Sequence, residues 1–446
     1  DNDNDELEGT SEKERENDGM SLKEIIETSC KKIDLGAAVL PKPLFEDENY
    51  SAVLKKEFNA IVVEHHLKWT PLCYQQPGPL PDQSPSDRLG RYDFYHADTI
   101  VDWAIQNGIT VKGHVLAWHV TTPEDLLLHN NNNNNTDNNT DQQCTITSQQ
   151  LQQQLKRHIF TLMGHFRGRI KTWDVVNEAL APDGTLAKNI FYKIIGPDYI
   201  EKAFHWAHQA DPTATLLYND NKVEGIGTPK SEAFYKLLQT FKLNNVPVHG
   251  CGIQAHFNAA GTGLSRPPTP RMVKAQIRRL GQLGLVVNIS EMDVRVSKLP
   301  LSDQLKALAQ KQIYRDILIA ALTEPAFDGL WLWGFTDKHT WVSDFYYQDQ
   351  PLIFDQQYNK KDAYYGIREA LKTMAIDGVV GGGVPLFSDI DSDGNPWGHL
   401  WMQEEPPSPP TPTPTADNET TSMAVEGGGS GIGSGDDRPD WEQADT

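Results

Sequence analysis

Two stretches decide the fold: IKTWDVVNE, residues 170–178, and LVVNISE, residues 285–291. Each is a short apolar run rich in β-branched residues, and each ends on a glutamate, Glu178 or Glu291. Continuous hydrophobic runs of strand length mark strands buried on both faces, as in a parallel sheet covered by helices. In a barrel of such strands the C-terminal ends gather on one face, the face that carries active sites. A carboxylate set there against an apolar run is costly unless it has a task.

Working outward, runs at 34–39, 58–64, 110–119, 215–220, 250–257 and 327–334 also read as strands, and the later of the two opening runs extends over 285–293. Helix-like segments at 92–107, 149–166, 199–210, 231–243, 270–283 and 302–322 alternate with them. Eight β/α units in roughly 340 residues predict an α/β fold, a single (β/α)8 TIM barrel over residues 21–375. Residues 1–20 read as a disordered acidic segment, and 376–446 as an extension and tail containing PPSPPTPTPT and GGGSGIGSG, linker compositions that cannot bury a core.

The formal net charge of −21 belongs to those ends. Residues 1–20 hold nine acids and two bases and residues 376–446 fourteen and one, which leaves a net charge of −1 between them. A nearly neutral central segment without a basic patch predicts no nucleic-acid partner. No apolar run reaches the ~20 residues that span a bilayer, so no membrane partner is predicted either. Because the sequence opens at Asp1 rather than Met, any signal peptide is expected to have been removed or left out of it.

Four cysteines are too few for a disulfide scaffold, and Cys251, inside a strand-like run, reads as a small buried hydrophobe. Cys73 and Cys144 fall in loops after the second and third strands, where a disulfide and two free thiols both remain open. The run Asn130–Asn135 reads as a tolerated loop insertion, with gating of the cleft as the rival. Asn134, Asn138 and Asn418 open sequons that would be glycosylated in a secreted chain, whereas the sequon at Asn288 lies in a core strand. Asp389, Asp391, Asp393 and Gly394 are spaced like a calcium loop, but its twelfth position is Leu400 rather than a glutamate, and no metal is expected. Trp397 and Trp401 suggest that 384–403 packs back on the barrel.

Polar and aromatic groups end seven of the eight predicted strands. Glu64, His65 and Lys68 follow the second; His114, Trp118 and His119 lie on the third; Asn177 and Glu178 end the fourth, and Asn219 the fifth. Gln254 and His256 lie on the sixth, Glu291 and Asp293 on the seventh, and Trp333 on the eighth, with Trp341 just beyond. Any one of these suits core packing or a salt bridge; a ring of them points to a site. Two carboxylates facing one cleft suit cleavage of a glycosidic bond, one protonating the leaving oxygen and the other stabilising or attacking the sugar carbon.

The strings GHVLAWH, WDVVNEAL, IQAHF, ISEMD and LWLWGFTDKHTW, in this order from about Lys31 to Leu371, resemble those of glycoside hydrolase family 10, the retaining endo-β-1,4-xylanases. The resemblance implies Glu178 as acid/base, its pKa raised until the first step has passed, and Glu291 as ionised nucleophile. His256 would hold Glu291 charged and Asp293 would fix the His256 tautomer. Asn177 resembles the donor to the sugar 2-hydroxyl; Glu64, Lys68, His114, Asn219 and Gln254 would bind sugar, and Trp118, Trp333 and Trp341 would wall the cleft. It also implies a secreted monomer acting on xylan or xylo-oligosaccharides without a cofactor. Two positions depart from the family: His65 stands where Asn is usual, and Asn219-Asp220-Asn221-Lys222 lacks the tyrosine expected at 221, so an aromatic sugar platform is missing. Those departures keep open transglycosylation or another β-1,4-glycan. A binding protein without catalysis is disfavoured by the intact glutamates, and a related barrel family by the Gln254/His256 pair and GFTDKHTW.

Overall fold

The computed structural model describes residues 19–73, 91–123 and 146–377. Its strands are β1 (Asp34–Val39), β2 (Ala60–Val63), β3 (Thr110–Ala117), β4 (Thr172–Asn177), β5 (Thr215–Asp220), β6 (Gly250–Ile253), β7 (His256–Asn258), β8 (Val286–Arg295) and β9 (Phe327–Leu332). All pair in parallel; β1 to β6 join in chain order, β6 pairs with β8, β8 with β9, and β9 with β1. The ring therefore closes on eight strands, the expected (β/α)8 barrel. β7 is a three-residue addition to the upper end of β8, with His256 opposite Asp293.

Helices on the outside start where the sequence provides caps. Thr147 and Gln150 form a capping box before Ser148–His165, and Pro229 and Pro270 open the helices Pro229–Leu243 and Pro270–Gln282, where a missing N–H costs nothing. The main apolar core lies between these helices and the outward faces of the strands. Inside the barrel a smaller cluster of Ala38, Ala60, Val62, Trp331 and Trp333 leaves space for polar groups. Gly36 faces Trp331 on the paired strand, and a Cβ there would collide with the indole. No helix among the described residues is long and apolar enough to cross a membrane.

The predicted run 250–257 is not one strand. Ala255 takes φ +70°, and its N–H turns to the Glu224 carboxylate at 2.9 Å, so β6 stops at Ile253 and the chain restarts as β7. Gln254 and His256 thus do not lie on one continuous strand, though both line the same cleft. Asn288 is 1% exposed in β8, as its dismissal as a sequon requires, and Cys251 is buried. Cys144, the Asn130–Asn135 run, the sequons at 134, 138 and 418 and the segment 384–403 with its calcium-like aspartates lie outside the described residues.

Candidate active site

Glu178 sits one residue beyond β4, at φ +55°, a conformation uncommon for non-glycine residues. Its N–H donates to the Asn219 carbonyl at 3.0 Å, which carries the β4–β5 pairing past the strand end. Trp118 Nε1 donates to Glu178 Oε2 at 2.8 Å and Gln254 Nε2 to Oε1 at 2.9 Å.

Glu291, inside β8, is 6% exposed. Asn219 Nδ2 donates to its Oε1 at 2.7 Å and His256 Nε2 to its Oε2 at 3.0 Å. Burial pushes this carboxyl up, but the His256 hydrogen bond, the positive field of His114 and His256, and the Asn219 amide outweigh it and bring it down to about 2. His256 is held on its other side by Asp293 Oδ2, 2.7 Å from Nδ1. Burial opposes its charge, yet Asp293 and Glu291 together raise it to about 10. Each ring nitrogen thus faces a carboxylate, and Asp293 fixes the orientation of the ring and favours a proton on it.

A chain of amides joins the two carboxylates. Gln254 Nε2 also approaches Asn177 Oδ1 at 3.1 Å, and Asn219 Nδ2 donates to the same oxygen at 2.8 Å. The Asn177 carbonyl is thereby occupied, and its amide nitrogen donates to no described residue. Asn219 is wholly buried, accepts from Ser290 Oγ at 2.6 Å, and does not line the cleft. Its expected role as a sugar ligand is therefore wrong: it positions Asn177 and Glu291 from behind. Gly252, paired with Asn219, makes this possible, since a Cβ there would strike the Asn219 amide oxygen.

The remaining predicted residues share one cleft with the two glutamates: Glu64, His65, Lys68, His114, Trp118, Gln254, His256, Trp333 and Trp341 all line it. The Lys68 ammonium lies 4.9 Å from the Trp118 ring and 5.7 Å from that of Trp333, and burial pulls its pKa down against Glu64, Glu291 and Glu178. Burial lifts Glu64 to about 7, with Lys68 opposing and Asp344 and Glu291 adding to the rise. Below them inside the barrel, His114 Nδ1 and Lys112 Nζ meet Asp174 at 2.9 and 3.1 Å. Trp118 and Trp341 are more than walls, since Trp341 Nε1 donates to Asp293 Oδ2 at 2.8 Å as Trp118 does to Glu178. Among the described residues no group of His, Cys, Asp and Glu is placed to hold a metal ion.

Sequence reading missed the far end of the cleft, where Lys222, Glu224, Leu264, Arg295, Phe345 and Tyr346 contribute. A signal for Arg295 existed: positions 291, 293 and 295 alternate along one strand and share a face. Phe345 and Tyr346 follow Trp341 in an aromatic run, but only the folded loop returns them to the cleft.

The chain matches the family model for glycosyl hydrolase family 10 over residues 21–370. It is 36% identical over 328 residues to endo-1,4-beta-xylanase B of Thermotoga neapolitana, covering 73% of this chain and 84% of the relative. A beta-1,4-xylanase of Dictyoglomus thermophilum is 34% identical over 367 residues, 78% of this chain and 91% of its own length. Among solved structures, xylanase 10B from Thermotoga petrophila in complex with xylobiose superposes with a TM-score of 0.68 at 35% identity, over 80% of this chain and 98% of that one.

Proposed function

Because this chain belongs to glycosyl hydrolase family 10, we propose that it is a retaining endo-β-1,4-xylanase that cuts internal bonds of xylan by double displacement. The observation that supports the mechanism is the setting of Glu291, whose two oxygens face Asn219 Nδ2 and His256 Nε2, donors that favour its ionised form. A general base works best with a pKa near the working pH, and a carboxyl held near 2 is poorly matched to deprotonating water. It is well matched to attacking a sugar carbon and leaving again as a carboxylate.

In the first step a Glu291 oxygen bonds to the anomeric carbon, the glycosidic C–O bond breaks, and the Glu178 proton passes to the departing oxygen. In the second, water attacks the same carbon, gives its proton to Glu178, and the ester bond to Glu291 breaks. Two inversions restore the original anomer. The unused donor of Asn177 suits the sugar 2-hydroxyl, a contact that strengthens as positive charge develops on the ring. Trp333 and Trp341 suit the apolar faces of pyranose rings. Secretion belongs to the same reading, since a polymer must be met where it lies, and so does action as a monomer, because one chain supplies every group named.

The test is incubation with xylan, cellulose and mixed-linkage β-glucan, with product length and first-formed anomer followed by NMR. Mixed-length xylo-oligosaccharides in the β-configuration are expected. Initial α-anomers would overturn retention, and turnover of cellulose alone would overturn the substrate.

A further inference from the structure

Outside the cleft, two large aromatic side chains stand largely in solvent and line one groove. Phe45, 51% exposed, lies on the helix Pro41–Glu46, and Tyr95, 68% exposed, opens the helix Tyr95–Gln106. The first helix begins directly after β1 and the second follows the segment after β2, so the groove opens on the upper face that carries the cleft. One exposed ring needs no explanation. Two that share a concave surface of about 360 Å³ keep apolar area in water that a ligand would cover.

A row of rings connects this groove to the cleft. His65 lines the cleft, and its ring centroid is 5.5 Å from that of His66. His66 in turn lies 4.8 Å from His96, which lines the groove and has the Tyr95 ring 5.2 Å away. The row starts at one of the two positions that depart from the family. The groove's lysine and glutamate, Lys42 and Glu46, offset one another, so its charge favours neither an anion nor a cation. Rings flanked by hydrogen-bonding groups, without net charge, suit a neutral polymer of sugars with apolar faces and hydroxyl edges.

We propose that the groove between these helices holds a further stretch of the xylan chain that fills the cleft, with Phe45 and Tyr95 packed on its sugar rings. A chain already fixed in the cleft meets the groove as an intramolecular second contact, so modest ring contacts suffice to strengthen its binding. The contact lies away from the bond that breaks and is the same before and in the transition state, so it acts on KM for long chains and leaves kcat alone. The proposal rests on the xylanase reading and extends its substrate contact beyond the cleft.

The double variant Phe45→Ala/Tyr95→Ala strips both rings from the surface. Its KM for polymeric xylan should rise about tenfold at unchanged kcat, and that of each single variant about threefold, the scale of one ring contact apiece. An aryl xylobioside is too short to leave the cleft, and its kcat/KM should stay at the unaltered value. Phe45→Tyr/Tyr95→Phe keeps two rings and should keep the unaltered KM for xylan. An unmoved KM for xylan in the alanine variants overturns the proposal. So does an equal loss on the aryl xylobioside, which would mean that the rings act on the cleft through His66. A dimer of the unaltered enzyme in sedimentation that the double alanine variant loses would assign the groove to a second copy of this chain and overturn it as well. Failure of the unaltered enzyme to cut both xylan and the aryl xylobioside would instead overturn the xylanase reading.

Discussion

Glu291 and Asp328 are carboxylates on adjacent strands of one barrel, the first on the upper face and the second at the floor. Burial pushes both upward, yet Glu291 ends near 2 and Asp328 near 7. Around Glu291 the fold aims an amide and an imidazolium at the two oxygens. Around Asp328 the second carboxylate, Asp34, adds repulsion, Lys112 and Asn288 oppose it only in part, and Asp328 Oδ1 has no hydrogen-bond partner. The same burial therefore yields a permanent anion or a proton-holding acid, according to the donors in reach. Glu291 keeps its charge for chemistry, while Asp328 carries its charge at a cost to stability.

The comparison can be broken most severely at Glu291. Glu291→Gly should lower hydrolysis of xylan and of aryl xylosides alike by at least about 10^5-fold, as for loss of a nucleophile. Glu178→Ala should lower xylan hydrolysis by about 10^3-fold, the scale of general acid catalysis, yet retain substantial cleavage of xylosides whose acidic phenol departs without a proton. Equal loss on both substrates would exchange or void the two roles. His256→Asn removes the hydrogen bond and charge that hold Glu291 down. Activity that needs ionised Glu291 is lost as pH falls through its pKa, so the acid limb of the kcat/KM profile should move up by at least about one unit, with roughly tenfold to hundredfold lower activity at pH 7. An unmoved limb would mean that His256 does not set the charge of Glu291.

The smallest effect belongs to the floor. The folded pKa of Asp328, about 7, lies above its ordinary 3.8, so the folded chain retains a proton that the unfolded chain releases. Its contribution is fully present below 3.8, is lost as pH rises toward 7, and changes no further above it. Asp328→Asn should therefore flatten the fall of Tm between pH 5 and 8 and raise Tm at pH 8 by about 3 °C, read by calorimetry. A parallel slope in both proteins would place the acid-stable group elsewhere.

Much of the site was legible because the chemistry sits at strand ends, and strand ends are written locally. Glu178 and Glu291 close apolar runs, and Trp118, Gln254 and His256 lie in motifs close to theirs in kind. Asn219 was misread for a physical reason: position at a strand end does not say whether a side chain faces the cleft or the network beneath it. That depends on Gly252 and Ser290 of other strands. The break at Ala255 was likewise hidden, because alanine carries no local signal for a left-handed turn, and its partner Glu224 comes from the loop after β5.

Periodicity and composition by themselves determined the eight-strand barrel, the acidic ends and the two glutamates, since each is a property of neighbours in the chain. Tertiary structure alone decided the lowered pKa of Glu291, the setting of His256 between Glu291 and Asp293, and the placing of Arg295 over the Tyr346 ring. These depend on distances of a few ångströms between residues dozens of positions apart, and electrostatic energy in a buried site changes steeply over such distances.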